Sequence, residues 1–247
     1  MIRGFVDLHC HWIAGIDDGA KSIDESREML SGLRDLGFDT VVATPHMRPG
    51  LFDSDRTSLL RAFDSAKEIL ALAESTLPRI RVACEHFFDD IVFQRLMNGH
   101  GVLYPGNSAA LVEFAPIAFP IHVHKRFFDL HRIGIVPVLA HPERYRPVWD
   151  DKSCLEPLLD AGAVLLLDLC ALVGKYGSAS QRSAEALLDE QAYEAACSDA
   201  HRARDLPLVE RAIARLVSLV GEGEAKRLLV QAPCGLLKNA GSEENNR

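Results

Sequence analysis

No apolar run in the sequence approaches the roughly twenty residues that a bilayer-crossing helix needs, so no membrane insertion is expected. The first residues, Met1 to His11, carry one Arg and a very short apolar piece, without the long hydrophobic stretch of a secretion signal. A cytoplasmic location is therefore the expectation. Basic residues are in deficit: 27 Lys and Arg stand against 35 Asp and Glu, for a formal charge of −8. That balance argues against nucleic acid as the main partner, because phosphate backbones recruit clustered cations. A phosphorylated substrate is still compatible, since a few local Arg residues suffice to hold it. The six cysteines (10, 84, 154, 170, 197 and 234) form no CxxC pair, which argues against a disulfide framework. None is followed by five residues and then Arg, so the arrangement that a thiolate phosphatase requires is missing. No GxGxxG follows the first predicted strand, which removes the dinucleotide fingerprint of an open doubly wound sheet.

What is present is an ordinary globular composition, 48% hydrophobic and 25% charged over 247 residues. It predicts a single domain over 1–240 and a polar, disordered tail, Gly241–Arg247. Short β-branched or aliphatic runs alternate with longer amphipathic ones. Strands are predicted at Phe5–Leu8, Thr40–Ala43, Ile80–Ala83, Ala109–Glu113, Val136–Ala140, Val164–Asp168 and Ala195–Ser198. Helices are predicted at Asp24–Leu36, Arg56–Glu74, Ile121–Ile133, Lys152–Ala161, Ala179–Glu190, Pro207–Val220 and Glu222–Gln231. Ser22 and Glu25 read as a capping box, and Gly37, Gly134 and Gly162 as helix C-caps. Such alternation implies an α/β fold with a parallel sheet and helices outside it, closed or nearly closed into a barrel.

The strand ends carry the chemistry. The first ends in His9-Cys10-His11, and alternation along a strand puts both imidazoles on one side. The following loop brings Asp17-Asp18-Gly19. Later strands deliver His46, Glu85, Glu113, His141, Asp199 and His201. One such residue is weak evidence, because a polar group must appear wherever a chain leaves a sheet. Their recurrence at the C-terminal ends, where parallel barrels assemble active sites, points to metal. Imidazole and carboxylate without thiolate suit Mn, Zn, Fe or Mg, and nine ligands exceed one ion's needs, so two to three divalent ions are expected. Arg48, Arg144, Arg202 and Arg204 each follow closely after a predicted ligand and are candidates to bind substrate phosphate. Trp12 and the pair Leu51-Phe52 are candidates for an apolar rim. His86 is expected to face away from Glu85, and His100, His122, His124 and His131 to be ordinary polar residues.

His9-Cys10-His11, Asp17-Asp18-Gly19-Ala20-Lys21-Ser22, Thr44-Pro45-His46-Met47-Arg48-Pro49-Gly50-Leu51-Phe52, Glu85, Glu113, His141-Pro142-Glu143-Arg144-Tyr145 and Ser198-Asp199-Ala200-His201 resemble the polymerase-and-histidinol-phosphatase (PHP) superfamily. Within it the chain is most similar to the CpsB/YwqE-type bacterial tyrosine phosphatases of capsular and exopolysaccharide operons. The resemblance runs in order to about Pro233. It implies a distorted (β/α)7 barrel and a trinuclear centre. One ion would take His9, His11, Glu85 and Asp199; a second Glu85, Glu113 and His141; a third Asp17, His46 and His201. It implies hydrolysis of protein phosphotyrosine by a metal-bridging hydroxide, with Arg144 on the phosphate and Asp199 or His201 helping to protonate the leaving group. The implied partner is a phosphotyrosine protein such as an autophosphorylated bacterial tyrosine kinase of a polysaccharide operon, and an oligomer is compatible. The alternatives are a PHP phosphatase for a small molecule, such as histidinol phosphate or a nucleotide, an amidohydrolase, and a non-catalytic metal-stabilised module. The chain departs from the family's pattern at His86-Phe87-Phe88, at Leu167-Asp168-Leu169-Cys170 and in a shortened segment after His201, all near the substrate mouth.

Overall fold

The computed structural model describes residues 3–52, 54–71 and 77–238. The predicted tail Gly241–Arg247 and the last turn of the predicted helix Arg56–Glu74 lie outside them. Among the described residues there are nine strand segments: β1 (Phe5–Cys10), β2 (Phe38–Ala43), β3 (His46–Met47), β4 (Arg79–Val82), β5 (Glu85–Phe87), β6 (Ala109–Glu113), β7 (Val136–Ala140), β8 (Val164–Asp168) and β9 (Tyr193–Cys197). All pair in parallel. Two breaks turn the expected seven strands into nine. Thr44 and Pro45 separate β2 from β3, where Pro45 has no N–H to donate. Ala83 and Cys84 separate β4 from β5. The ladder nevertheless runs across both breaks, through Ala83 N to Ala43 O (2.8 Å) and Glu85 N to Pro45 O (3.2 Å).

The first and last strands also meet. Asp199 N donates to His9 O (3.0 Å) and His11 N to Ala200 O (2.9 Å). Below them the buried Asp7 carboxylate accepts Ser198 N (3.0 Å) and the Ser198 hydroxyl (2.5 Å). The chain thus forms a distorted parallel (β/α)7 barrel. Its interior holds Val6, Leu8, Val42, Leu111, Val138, Ala140, Leu166, Ala195 and Cys197, with Tyr104 and Leu236 packed among them. A larger apolar layer lies between strands and helices. Each large side chain withdrawn there from water contributes roughly 1.5–3 kcal/mol.

The outer helices are α1 (Ile23–Asp35), α2 (Arg56–Leu70), α3 (Asp90–Met97), α4 (Val123–Arg132), α5 (Arg146–Asp150), α6 (Glu156–Asp160), α7 (Ser178–Asp189), α8 (Leu206–Lys226) and α9 (Ala232–Lys238). Sequence patterning overlooks α3 and α5, which are too short for a clear 3.6-residue stripe. Predicted Lys152–Ala161 is a 3-10 turn, Lys152–Leu155, running into α6. The two predicted terminal helices form one kinked element: Gly221, at φ 79°, bends α8. Half of the expected capping box is present. Ser22 caps α1 through Glu25 N (3.2 Å), but the Glu25 carboxylate accepts Lys21 N (2.8 Å) and pairs with Arg202 (3.1 Å). Gly37, Gly134 and Gly162 have the positive φ of C-cap residues.

Candidate metal centre

Every predicted ligand except Asp17 enters one cluster at the C-terminal end of the barrel. The Glu85 carboxylate is its hub: Oε2 lies 3.3 Å from His9 Nε2, 3.5 Å from His11 Nε2 and 3.0 Å from His46 Nδ1, while Oε1 lies 2.9 Å from His141 Nε2. Glu113 faces His46 Nδ1 at 3.2 Å. Asp199 Oδ1 lies 3.3 Å from His9, 3.5 Å from His11 and 3.6 Å from His201. Four groups emerge whose ligand atoms lie within 4.8 Å of one another: His9, His11, Glu85; His9, His141, Asp199; His46, Glu85, Glu113; and His11, Asp18, His46, His201.

The last group contains Asp18 where the sequence reading expects Asp17. Asp17 is already engaged: its carboxylate accepts His11 Nδ1 (2.8 Å), Gly19 N (2.8 Å) and His46 N (3.1 Å). It orients a ligand instead of joining the group. The exposed Asp18 instead turns toward His46 Nε2 (3.4 Å) and His201 Nε2 (3.6 Å). Sequence alone could not choose between adjacent acids in a loop, where no strand alternation applies.

Backbone conformation helps aim the candidate ligands. His141 and Asp199 follow the ends of β7 and β9 at φ 38° and 44°, a costly region for non-glycine residues. Each is held by its own N–H, His141 to Leu166 O (2.9 Å) and Asp199 to His9 O. The motif His141-Pro142-Glu143-Arg144-Tyr145 supports the site from behind. Glu143 is buried, accepting Asp168 N (2.9 Å) and Tyr193 OH (2.9 Å). The Tyr145 hydroxyl donates to Ala140 O (3.1 Å) and accepts Phe114 N (3.1 Å), tying the ends of β6 and β7 together. Glu143, Asp168 and Asp7 are buried acids that the sequence reading passed over. The signal available was a charged residue within an otherwise apolar strand or motif.

The electrostatics are those of interlocked opposite charges. Burial alone would lower His11, but the Asp17 carboxylate carries its imidazole up to about 10. Burial likewise opposes the charge on His46, yet Glu85 and the other carboxylates push it far above the ordinary imidazole value. Glu85 and Asp199 are held well below the carboxylate range against their burial, chiefly by His9 with His46 or His201. Burial and the neighbouring Arg144 lower His141 to about 4. The donor set fits divalent cations. Five imidazoles and four carboxylates converge without thiolate or lysine, and His46 Nδ1, Glu113 Oε1 and Asp199 Oδ1 are buried without an aligned hydrogen-bond partner. Unsatisfied buried polar atoms are costly, and a shared cation would satisfy them.

The four arginines are placed differently. Arg144 Nη1 lies 2.6 Å from Asp199 Oδ2, and its guanidinium is over the Tyr176 ring at 4.4 Å. Arg48 stacks on Phe87 at 4.0 Å. Arg202 is paired with Glu25, whereas Arg204 is exposed. Phe52 stacks on His46 with ring centroids 5.1 Å apart, and Leu51 is 61% exposed, as a rim requires. Trp12 does not belong to the rim: it is fully buried and packs near Phe63. His86 is a buried structural residue between Leu111 O (2.8 Å) and Val102 N (3.3 Å), and His100, His122, His124 and His131 are exposed.

A parallel barrel with a polynuclear-type cluster of imidazoles and carboxylates at its strand ends defines a metal-dependent hydrolase. The chain belongs to the CpsB/CapC family of capsular polysaccharide synthesis, whose model matches residues 5–238. It is 28% identical over 204 residues to the tyrosine-protein phosphatase YwqE of Bacillus subtilis strain 168, covering 81% of this chain and 78% of that protein. A crystal structure from a study of YwqE of B. subtilis and CpsB of Streptococcus pneumoniae, described as metal-dependent tyrosine phosphatases, superposes with a TM-score of 0.86. It is 26% identical, covering 96% of this chain and 95% of that one. A lactonase from Listeria monocytogenes, 13% identical with a TM-score of 0.57 over 96% of this chain and 95% of its own, shares the fold alone.

Proposed function

We propose that this chain hydrolyses phosphotyrosine in proteins, using two to three divalent ions, in the regulation of capsular or exopolysaccharide synthesis. The observation that carries this reading is the convergence of the four ligand groups beside Arg144, at the open end of the barrel. We assign one ion to His9, His11, Glu85 and Asp199, a second to Glu85, Glu113 and His141, and a third to Asp18, His46 and His201. Bound divalent cations supply Lewis acidity, lowering the pKa of water and neutralising charge on phosphoryl oxygens.

The chain's own groups do the rest. Arg144 grips phosphoryl oxygens with its N–H edge, and Arg204 is the freer second cation, because Arg202 is committed to Glu25. Asp17 fixes the His11 tautomer through Nδ1, leaving Nε2 toward the cluster. Phe52 and Leu51 offer an apolar wall for the tyrosyl ring. The leaving phenolate takes its proton from water oriented by His201 or Asp199, with His201 the better placed: its side chain is 25% exposed against 2%. A thiolate mechanism has no support, since burial pushes the thiols of Cys10 and Cys84 well up. The partner proposed is a tyrosine kinase of a polysaccharide operon. The location proposed is the cytoplasm; it is compatible with six free cysteines and with no described helix long and apolar enough to cross a membrane. We also take residues 1–240 as one catalytic domain.

The test is turnover of a phosphotyrosine peptide, histidinol phosphate and nucleotides by manganese-loaded protein. Preference for the peptide, lost on chelation and insensitive to iodoacetamide, is the expected result. Preference for histidinol phosphate or a nucleotide would overturn the protein-substrate reading.

A further inference from the structure

Strand β8 also ends in a carboxylate, Asp168, yet it joins none of the ligand groups among the described residues. It is fully buried. Its Oδ1 accepts Cys170 N (2.8 Å), which fixes the carboxylate, and Oδ2 faces Arg144 Nη1 at 3.8 Å. Tyr176 covers the face of the same guanidinium, ring centroid 4.4 Å from Arg144 Cζ, and its hydroxyl is within hydrogen-bonding reach of the Asp168 carboxylate. The ring is held in a two-residue turn, Lys175-Tyr176, between Gly174 at φ 80° and Gly177 at φ 90°, closed by Gly177 N to Gly174 O (3.1 Å).

We propose that Asp168 and Tyr176 form a cradle that aims Arg144 at the substrate's phosphoryl group. The proposal deepens the phosphatase reading and rests on it for the identity of the substrate. The physical argument concerns what holds Arg144 during turnover. Its shortest contact is Asp199 Oδ2 at 2.6 Å, but Asp199 also belongs to a ligand group, and a carboxylate shared with cations has less charge left for an arginine. Asp168 and Tyr176 carry no such second duty. A guanidinium stacked by its face keeps its edge N–H groups free for a forked contact with phosphate. The Arg144 side chain is 28% exposed, so that edge reaches the mouth of the site. Asp168 and Tyr176 are thus positioning residues, acting through Arg144.

The experiment measures binding of inorganic phosphate to manganese-loaded protein by calorimetry, alongside kcat and KM for a phosphotyrosine peptide and bound metal per chain. Tyr176→Leu removes the ring face and is expected to weaken phosphate binding roughly five- to ten-fold with full metal content. Tyr176→Phe keeps the face and is expected to recover most of it. Asp168→Asn tests the carboxylate and is expected to weaken phosphate binding in the same direction. In an Arg144→Ala background, Tyr176→Leu is expected to cost almost nothing further. The cradle is overturned if Tyr176→Leu leaves phosphate affinity unchanged, or costs as much without Arg144 as with it. A fall in kcat for Tyr176→Phe at unchanged phosphate affinity would also overturn it, because the hydroxyl would then be acting directly. Cradle-dependent phosphate binding without peptide hydrolysis would leave the cradle standing and remove the phosphotyrosine reading.

Discussion

Adjacent aspartates illustrate how much one position decides. Asp17 is buried and spoken for by three donors, whereas Asp18 is exposed and turned to two imidazoles. Asp18→Ala is expected to reduce bound metal by one ion while leaving the unfolding midpoint of metal-free protein nearly unchanged. Asp17→Ala is expected to lower that midpoint as well, through a loss of about 1–3 kcal/mol of stability from orphaned backbone and His11 donors. Elemental analysis with denaturant unfolding separates the two; equal midpoints would sink the distinction. Arg144 and Glu85 make a second contrast. Arg144→Ala should keep its metals and lose about 2–4 kcal/mol of transition-state stabilisation, roughly thirty- to a thousand-fold in kcat/KM. Glu85→Gln should lose metal and activity together, because its two oxygens face four imidazoles.

At the level of elements, the loop after β1 is built on a close approach. A Cβ at Gly19 would lie 2.1 Å from His11 O and 2.6 Å from His11 Cβ. Gly19→Ala is expected to destabilise the fold by roughly 1–3 kcal/mol and to reduce metal content, by pushing the Asp17-Asp18 turn away from His11 and His46. Denaturant titration and metal analysis on the same sample check this. Behind β7, burial and the nearby Asp168 push the Glu143 carboxyl up from 4.5 to about 8. The folded chain therefore holds a proton there that the unfolded chain releases, so this group's contribution to stability falls as pH rises from about 4.5 through 8. Glu143→Gln should flatten that slope, gaining on the parent at pH 8 relative to pH 5. Unfolding midpoints across the range would reveal it, and parallel curves would contradict it.

Across the whole molecule, loading the centre is a proton-coupled event. Asp17 holds the metal-free His11 imidazole at about 10, so it carries a proton at neutral pH that a cation must displace. Manganese binding at pH 7 is expected to release at least one proton per chain and to tighten as pH rises. Calorimetry in two buffers of different ionisation enthalpy measures the number; a value of zero would show that the imidazoles are already neutral. The same interlocking explains why the barrel closes where it does. Asp7, Ser198, His9 and Asp199 join the first strand to the last at the layer where the ligands begin.

Strand–helix alternation and the recurrence of His and acid at strand ends are periodic, local properties, so the chain's order of residues determined the barrel and pointed to eight of the nine side chains that gather at its C-terminal end. Patterning was silent where periodicity stops. It could not tell Asp17 from Asp18 in a loop, place Trp12 in the core, or foresee that Pro45 and Ala83–Cys84 would split two strands. Nor could it foresee that Arg202 would turn to Glu25, 177 residues away in the chain, while Arg144 came to rest between Asp199 and Tyr176. Those outcomes depend on which side chains meet across the closed barrel, and only the tertiary structure brings such distant residues within the few ångströms where hydrogen bonds and charge pairing act.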